Sequence, residues 1–257
     1  MPDLISDAAG VRLEIADELA TVTLNRPQRR NAMTPLMWQR LAEVGAGLPD
    51  VVRVVVVKGE DPSFCAGIDL RMFTPDGVPG EGRGPDASDP GFEDVVAGYQ
   101  AGFRWLRNPQ FVSIAAVQGH AIGAGFQLAL SCDLRVLASN AKLCMKEPAL
   151  GLVPDLTGTK PLVEIVGLPR AIELCLTARE VSAGEAEQFG LAERVVPPDE
   201  LTAAVDQLVK ELLAIPAAAA RATKQLLIQA PEHTLDQQAW AERTAQKWLL
   251  TNHHEKP

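Results

Sequence analysis

Alternating apolar and polar positions mark the beginning of the chain. Residues 11–15 and 20–24 alternate in this way and are separated by two acidic residues, which predicts a hairpin of two half-buried strands. A β-branched run over residues 51–57 predicts a strand that is buried on both faces. The apolar run over residues 111–117 predicts a further strand, and residues 134–137 predict a short one.

Helical patterns alternate with these strands. Thr34 is a good N-cap and Pro35 suits the first helical position, so we expect a helix from there to about residue 48. A capping box at residues 182–185 predicts a short helix that Gly190 stops. Further helices are predicted over residues 92–108, 126–133, 161–166, 169–177, 199–214, 217–229 and 234–249.

The order of these elements indicates the fold class. Strands alternate with helices up to a brief strand at residues 195–196, after which only helices follow. This order predicts an α/β protein, with a core over residues 1–195 and a helical C-terminal region over residues 196–257. Residues 141–159 and 74–91 are predicted to be loops and turns because proline and glycine interrupt them. The loop of residues 74–91 is either a lid beside a binding site or a tolerated insertion.

A glycine-rich turn between a strand and a helix carries the clearest chemical signal. Residues 119–125 read Gly-His-Ala-Ile-Gly-Ala-Gly, and the following helix is apolar on nearly every side, so it should be buried. A helix that begins on such backbone presents free N–H groups and the positive end of its dipole, which suits an anion or a developing oxyanion. The turn can equally be a packing corner. A second strand–loop–helix unit lies around Gly67, and two such loops could direct two N–H groups at one ligand atom.

Charge and composition exclude several classes of partner. The 257 residues carry a formal net charge of -9, which argues against a nucleic-acid or anionic-membrane surface as the main partner. No apolar run approaches the length of a membrane span, and no metal-ligand spacing is present. The four scattered cysteines are expected to be reduced thiols of a cytoplasmic protein. An anionic ligand stays possible, because local lysines and arginines can still form a pocket for one.

A series of short motifs runs through the chain in a fixed order. They are Asn25-Arg26-Pro27 with Asn31-Ala32, the segment Phe64-Cys65-Ala66-Gly67-Ile68-Asp69-Leu70, Ala115-Ala116-Val117-Gln118-Gly119, Gly123-Ala124-Gly125, Leu128-Ala129, Cys132-Asp133, Gly151-Leu152-Val153-Pro154, Gly158-Thr159 and Gly190-Leu191-Ala192. One such motif would mean little. Together, and in this order, they resemble the enoyl-CoA hydratase/isomerase (crotonase) family over almost the whole chain.

This resemblance implies a crotonase-like spiral of ββα units whose C-terminal helices serve in trimerisation, as a homotrimer or a dimer of trimers. It also implies an acyl-CoA thioester as the substrate, with coenzyme A as part of that substrate and no further cofactor. The oxyanion hole falls on the backbone N–H groups of Ile68 and Ala124; since the contact is backbone, alanine is tolerable where the family has glycine. The implied substrate-binding residues are Ala66, Gly67, Asp69, Gly123, Gly125, Gln127 and Arg29. The candidates to bind the CoA phosphates are Arg29, Arg30 and Lys58, for which solvated surface charge is the simpler alternative.

The carboxylates depart from the family's hydratases, which use two glutamates. The two corresponding positions here are Gln127 and Glu147. Gln127 can hold a water molecule by hydrogen bonding but cannot take its proton. Asp155 adds a second carboxylate, at a position where the chain is similar to dienoyl-CoA isomerases and to isomerases of ring-epoxide phenylacetyl-CoA breakdown. The alternative role for Asp155 is a helix N-cap after Pro154.

Three functions are therefore compatible with the residues. The favoured one is an acyl-CoA double-bond isomerase, of the enoyl- or dienoyl-CoA type, in which Glu147 is the principal acid and base and Asp155 assists. The first alternative is an enoyl-CoA hydratase in which Glu147 acts on the water alone. The second alternative is an acyl-CoA-binding protein without turnover.

Overall fold

The structure is a computed structural model that describes residues 8–252. Within that range the strands are β1 Val11–Ala16, β2 Leu19–Leu24, β3 Val54–Gly59, β4 Val112–Val117, β5 His120–Ile122, β6 Leu134–Ala138, β7 Lys142–Cys144, β8 Val181–Ser182 and β9 Arg194–Val196. The main sheet has six strands in the order β1-β2-β3-β4-β6-β9. The predicted hairpin of β1 and β2 is confirmed as an antiparallel pair, and the other neighbours are parallel.

Helices cover both faces of the main sheet. They are α1 Pro35–Gly47, α2 Phe92–Arg104, α3 Ala124–Ser131, α4 Thr159–Val166, α5 Leu168–Thr177, α6 Ala183–Gln188, α7 Leu201–Leu213, α8 Ala217–Gln229 and α9 Leu235–Asn252. In β3, Val55 and Val57 join the core shared with α1, α2 and α3, whereas Val54 and Val56 pack with α7. The prediction that this strand is buried on both faces is confirmed, although the strand begins at Val54 rather than at residue 51.

A second, smaller sheet runs beside the first and consists of β5, β7 and β8. Two isolated parallel bridges extend this layer into loops, because Cys65 pairs with Ala121 and Met33 pairs with Ile68. After β3, β4 and β6 the chain therefore passes through the second layer before it continues. The chain winds as a spiral in which successive turns add one strand to the main sheet and one short segment to the second layer.

Two loop predictions fare differently in the structure. The expectation that residues 141–159 lack regular structure is wrong at their start, because Lys142–Cys144 form β7 by pairing with β5. Residues 74–91 do lack helix and strand, as predicted. That loop is fastened at two points: Val78 is buried in the core, and the Glu81 carboxylate accepts the Leu36 N–H of α1 at 3.1 Å.

The C-terminal helices differ in how they pack. α7 contributes Leu201, Val205, Leu208 and Val209 to the hydrophobic core that also contains Val54 and Val56 of β3. In contrast, α8 and α9 have no buried residue in the described part of the chain. α8 is held through Lys224, whose Nζ donates to the Phe111 carbonyl and to the Asp133 carboxylate, both at 2.6 Å. No helix within residues 8–252 is long and apolar enough to cross a membrane.

Candidate active site

The loop after β3 and the segment after β4 are joined backbone to backbone. The Cys65 N–H donates to the His120 carbonyl at 2.8 Å, and the Ile122 N–H donates to the Cys65 carbonyl at 3.0 Å. On the other side of the same loop, the Met33 N–H donates to Gly67 and the Asp69 N–H donates back to Met33, both at 2.7 Å. These bonds fix the backbone on both sides of Ile68 next to the beginning of α3.

Ile68 and Ala124 each present an unused backbone donor at this junction. Among residues 8–252, neither N–H donates a hydrogen bond to the protein, although Gly123 before Ala124 donates to Cys144 at 2.8 Å. Ala124 is the first residue of α3, so its N–H lies at the positive end of the helix dipole. Two free donors on adjoining loops are the arrangement that an oxyanion hole requires. Binding of a thioester oxygen by this pair stays a prediction.

Three glycines allow the loops to approach this closely. A Cβ on Gly125 would lie 2.5 Å from the Cys65 carbonyl oxygen, and one on Gly67 would lie 2.9 Å from that of Ile122. Gly123 has φ 51 and ψ -118, a conformation that side chains rarely adopt, and it turns the chain from β5 into α3. The predicted residues Gly67, Gly123 and Gly125 therefore act through the backbone.

The Asp69 carboxylate faces two arginines. It accepts from Arg71 at 2.6 and 2.9 Å and from Arg26 at 3.0 Å, and its side chain is buried. The hydrogen bonds from Arg71, followed by that from Arg26, hold the pKa of Asp69 well below its usual range, despite the opposing effect of burial. Asp69 thus anchors the loop that carries Ile68.

Arg26 of the Asn-Arg-Pro motif and the nearby Asn31 hold the same loop in place by hydrogen bonds. Asn31 is fully buried, and its amide donates to the carbonyls of Glu60 and Ser63, both at 2.7 Å. Its Oδ1 accepts the Arg26 N–H at 2.9 Å, and the Arg26 guanidinium also binds the Ala32 carbonyl. The structure shows that these hydrogen bonds fix the position of the loop, a role that the sequence pattern did not reveal.

Glu147 lies directly against the turn that leads into α3. A Cβ on Gly123 would be 3.1 Å from Oε1 and 3.5 Å from Oε2 of its carboxyl group. The side chain is only 6% exposed, and burial is the main cause that raises the pKa of Glu147. The nearby Asp155 charge raises that pKa further, while the adjacent backbone N–H groups of Glu147 and Lys146 and the hydrogen bond from Gln127 lower it. A carboxyl with a raised pKa, next to a free N–H, is suited to accept and return a proton.

Gln127 extends from α3 towards Glu147 and is fully buried. Its Nε2 donates to Glu147 Oε1 at 2.7 Å. Its Oε1 accepts the N–H groups of Leu156 and Gly158 at 2.9 and 3.1 Å. The predicted site glutamine therefore connects the catalytic candidate to the loop that carries Asp155.

Asp155 lies at the edge of the site. Its backbone carbonyl accepts the Gln100 amide of α2 at 2.7 Å, and the next residue, Leu156, is bound to Gln127. The residue keeps an exposed surface in the single chain, yet the surrounding protein removes enough solvent to raise the pKa of Asp155. The alternative as an N-cap is wrong, since α4 begins at Thr159 with Gly158 as its N-cap.

The predicted phosphate contacts do not form one group. Arg29 is exposed close in sequence to Arg30, whose carbonyl accepts the Ala66 N–H at 2.9 Å. These residues and Ala66 thus belong to the same corner as Ile68. Lys58 instead lines a groove of about 580 Å³ against α7, and that groove contains none of the other predicted site residues.

Three of the four cysteines, Cys65, Cys132 and Cys144, are buried, and Cys175 is half-buried. Desolvation raises the pKa of both Cys65 and Cys132 to about 12, which disfavours the nucleophilic thiolate. All four cysteines are free. No cluster of three or more histidine, cysteine, aspartate or glutamate side chains that could hold a metal ion occurs within the described residues.

The chain belongs to the enoyl-CoA hydratase/isomerase family, whose model matches residues 14–256. The predicted crotonase-like fold is thereby confirmed, together with the structural likeness that follows. A protein from Thermobifida fusca YX, named as a candidate enoyl-CoA hydratase and solved with acetoacetyl-CoA, is 61% identical with a TM-score of 0.92. The alignment covers 95% of this chain and 96% of that one. A second structure of that protein contains CoA.

Relatives with different activities are about equally similar to this chain. The 1,2-epoxyphenylacetyl-CoA isomerase of Escherichia coli is 34% identical, covering 88% of this chain and 85% of its own. The short-chain-enoyl-CoA hydratase of Clostridium acetobutylicum is 31% identical, covering 84% and 80%. Hydratase names are the more frequent among similar proteins. Family membership therefore establishes the class of enzyme, and the choice of reaction depends on the side chains of the site.

Proposed function

We propose that this protein is an acyl-CoA double-bond isomerase of the enoyl- or dienoyl-CoA type. The observation that carries the proposal is the single buried carboxyl of Glu147 beside Gly123, paired with a glutamine instead of a second glutamate. Glu147 takes a proton from C2 of a 3-enoyl thioester, and the electron pair moves onto the thioester oxygen. The N–H groups of Ile68 and Ala124 stabilise the enolate, and Glu147 returns the proton at C4. The atoms balance without a cofactor or an added water.

The environment of Gln127 supports isomerisation over hydration. Syn addition of water in the two-glutamate manner needs a second group that handles a proton of the water. The Gln127 amide cannot accept a proton, and its oxygen already accepts two backbone N–H groups. Asp155 gives the isomerase proposal a second carboxyl, which suits a dienoyl substrate whose proton must travel over more carbons.

The alternative is an enoyl-CoA hydratase in which Glu147 alone activates the water. The frequency of hydratase names among relatives and the name of the Thermobifida fusca protein favour this candidate. The complexes of that protein with CoA and acetoacetyl-CoA support an acyl-CoA thioester as the substrate under either reaction. Arg29 is the candidate to bind its phosphates.

We further expect the predicted homotrimer or dimer of trimers. The support is the apolar surface of the C-terminal helices, where Leu227, Leu235, Trp240 and Trp248 are each more than half exposed in the single chain. Sedimentation equilibrium measures the assembly directly, and a monomer at micromolar concentration would contradict this expectation. A cytoplasmic location, with neither nucleic acid nor membrane as a partner, completes the proposal.

The deciding experiment offers 2-enoyl-, 3-enoyl- and dienoyl-CoA to the purified protein in ¹⁸O-labelled water. We expect movement of a double bond without ¹⁸O in the product. Glu147→Gln should reduce kcat by about 10²- to 10⁴-fold, the usual contribution of a general acid and base. Glu211→Gln, an exposed carboxylate of α7 paired with Arg194, is the matched control and should leave kcat unchanged.

Each outcome assigns one function. Rapid ¹⁸O incorporation from 2-enoyl-CoA, with 3-enoyl- and dienoyl-CoA untouched, would replace the isomerase by the hydratase. Binding of acyl-CoA without any turnover, unchanged in Glu147→Gln, would identify a non-catalytic member.

A further inference from the structure

The two oxygens of the Glu147 carboxyl have different surroundings. Oε1 accepts a hydrogen bond of 2.7 Å from Gln127. Oε2 is buried and has no hydrogen-bond partner among the described residues. A buried polar atom without a hydrogen bond costs folding free energy, and the other buried polar side chains of the site described above have hydrogen-bond partners. The unpaired Oε2 therefore calls for an explanation.

The orientation of the Gln127 amide is fixed by its other partners. The N–H groups of Leu156 and Gly158 both point to one atom of the amide, and only its oxygen can accept them. The nitrogen must therefore be the atom that faces Glu147. Gly158 also leaves the space for this side chain, since a Cβ there would lie 2.6 Å from Gln127 Cγ.

We propose that Gln127 is a positioning residue for the proposed reaction: it binds Oε1 of Glu147 and leaves Oε2 as the one oxygen of that carboxyl that exchanges a proton with the acyl chain. The inference rests on the proposed function. It assigns Gln127 to the carboxyl rather than to a water molecule or to the substrate. A proton on Oε1 would face an N–H donor, so the protonated form carries its proton on Oε2.

The effect of changing Gln127 on the titration of Glu147 depends on the other titratable groups that surround this carboxyl. Asp155 faces it from the following loop, Cys144 from β7 and Cys175 from α5, and Lys146 precedes it in the chain. Both thiols are neutral at physiological pH because burial raises their pKa values. Gln127 is the neutral side chain that donates to the carboxylate and so favours its ionised form.

Two substitutions separate positioning from simple packing. Gln127→Glu keeps an oxygen that accepts the two backbone N–H groups, and these stabilise the negative charge of the introduced carboxylate. The introduced carboxyl and Glu147 then share one proton, and that proton resides on Glu147. The acidic limb of kcat/KM should move to higher pH. Gln127→Leu removes the donor and should also move the limb to higher pH, lowering kcat by about 10- to 100-fold with little change in KM, since this side chain does not contact the substrate.

The matched control is Ser131→Ala on the same helix. Ser131 is buried and its hydroxyl donates to the Gln127 backbone carbonyl at 2.9 Å, and within the described residues it makes no hydrogen bond to Glu147. This variant should lower the urea midpoint of unfolding but leave the acidic limb in place. A direct readout is the infrared C=O band of the protonated Glu147 carboxyl, identified by its loss in Glu147→Gln and titrated in each folded variant.

The infrared titration separates this inference from the proposed function. If Glu147 titrates at higher pH in both Gln127 variants while even the native protein turns over no acyl-CoA, Gln127 positions the carboxyl and the isomerase proposal fails. If the native protein is an isomerase and both Gln127 variants titrate as it does, losing only as much activity as they lose folded protein, the positioning role is overturned.

Discussion

Gly125→Ala should damage catalysis more than stability. Gly125 is the second residue of α3 and its φ lies outside the left-handed region, so its backbone already suits alanine. The obstacle is space, because the new Cβ would lie 2.5 Å from the Cys65 carbonyl oxygen and 2.7 Å from Cys65 Cβ. That carbonyl accepts the Ile122 N–H at 3.0 Å and cannot turn away freely. α3 and the Cys65 loop must therefore separate.

The expected magnitudes follow from this geometry. Contacts below 3.0 Å are not tolerated, so the loops must move apart by at least about 0.5 Å. Overpacking of this kind costs about 1–3 kcal/mol, and the better helix propensity of alanine returns up to about 1 kcal/mol. Misalignment of the Ala124 N–H with that of Ile68 should reduce kcat by about 10²- to 10³-fold, the usual effect of losing one oxyanion donor.

Two assays measure these effects separately. Urea unfolding gives the change in stability, and the ultraviolet absorbance of bound acetoacetyl-CoA enolate reports stabilisation of the oxyanion without turnover. Gly184→Ala in α6 is the control, since nothing lies within 4 Å of its Cβ, and it should gain up to about 1 kcal/mol with unchanged activity. Full enolate absorbance and native kcat in Gly125→Ala would refute the assignment of these two N–H groups.

Two further substitutions test the charges of the site through the dependence of stability on pH. The pKa of Glu147 lies above its ordinary value of 4.5, so native stability should fall as the pH rises through the raised value. Glu147→Gln lacks the titrating group, so it should not show this fall and should be the more stable protein at pH 7. Equal urea midpoints at pH 7 would contradict the desolvation of this carboxyl. The pKa of Asp69 is depressed, mainly by Arg71, so its contribution is present above the ordinary carboxyl range and is lost on acidification. Asp69→Asn should cost about 1–3 kcal/mol at pH 7, and this cost should decline only as the pH falls below the ordinary carboxyl range towards the depressed pKa. A cost that stays constant down to pH 2 would mean that charge is not involved.

Local signals in the sequence predicted the regular elements well. Thr34 does cap α1, by accepting the Met37 N–H at 3.4 Å, and the box of Ser182 and Glu185 is formed reciprocally at 3.3 and 3.2 Å. The buried helix after the glycines is confirmed and begins at Ala124. The brief strand predicted at residues 195–196 is confirmed as β9, but β5, β7 and β8 were not predicted because strands of two or three residues are too short to show a period.

The support of the site was beyond prediction for a different reason. Its hydrogen bonds join residues that are distant in sequence, as in Arg26 with Asp69 and Gln127 with Glu147. A motif identifies such residues only through its resemblance to a family. The sequence around each residue does not indicate which distant residue it will contact. The loops around Gly67 and Gly123 could be located because glycine marks them locally, whereas the family resemblance assigned the donors to Ile68 and Ala124.

The balance of charge in the site explains why a glutamine can serve where hydratases keep a glutamate. In the proposed reaction the negative charge is on Glu147 before proton transfer and on the enolate oxygen at Ile68 and Ala124 afterwards, so the site would hold one charge throughout. Burial favours the neutral carboxyl that forms, and the Gln127 N–H favours the ionised carboxylate that must start the reaction. A second glutamate at position 127 would share a proton with Glu147, so that Glu147 would begin the reaction protonated and could not act as the base. With glutamine there, we expect the proton on Oε2 to have the acyl chain as its acceptor, so that the carbon closest to that oxygen would determine the product.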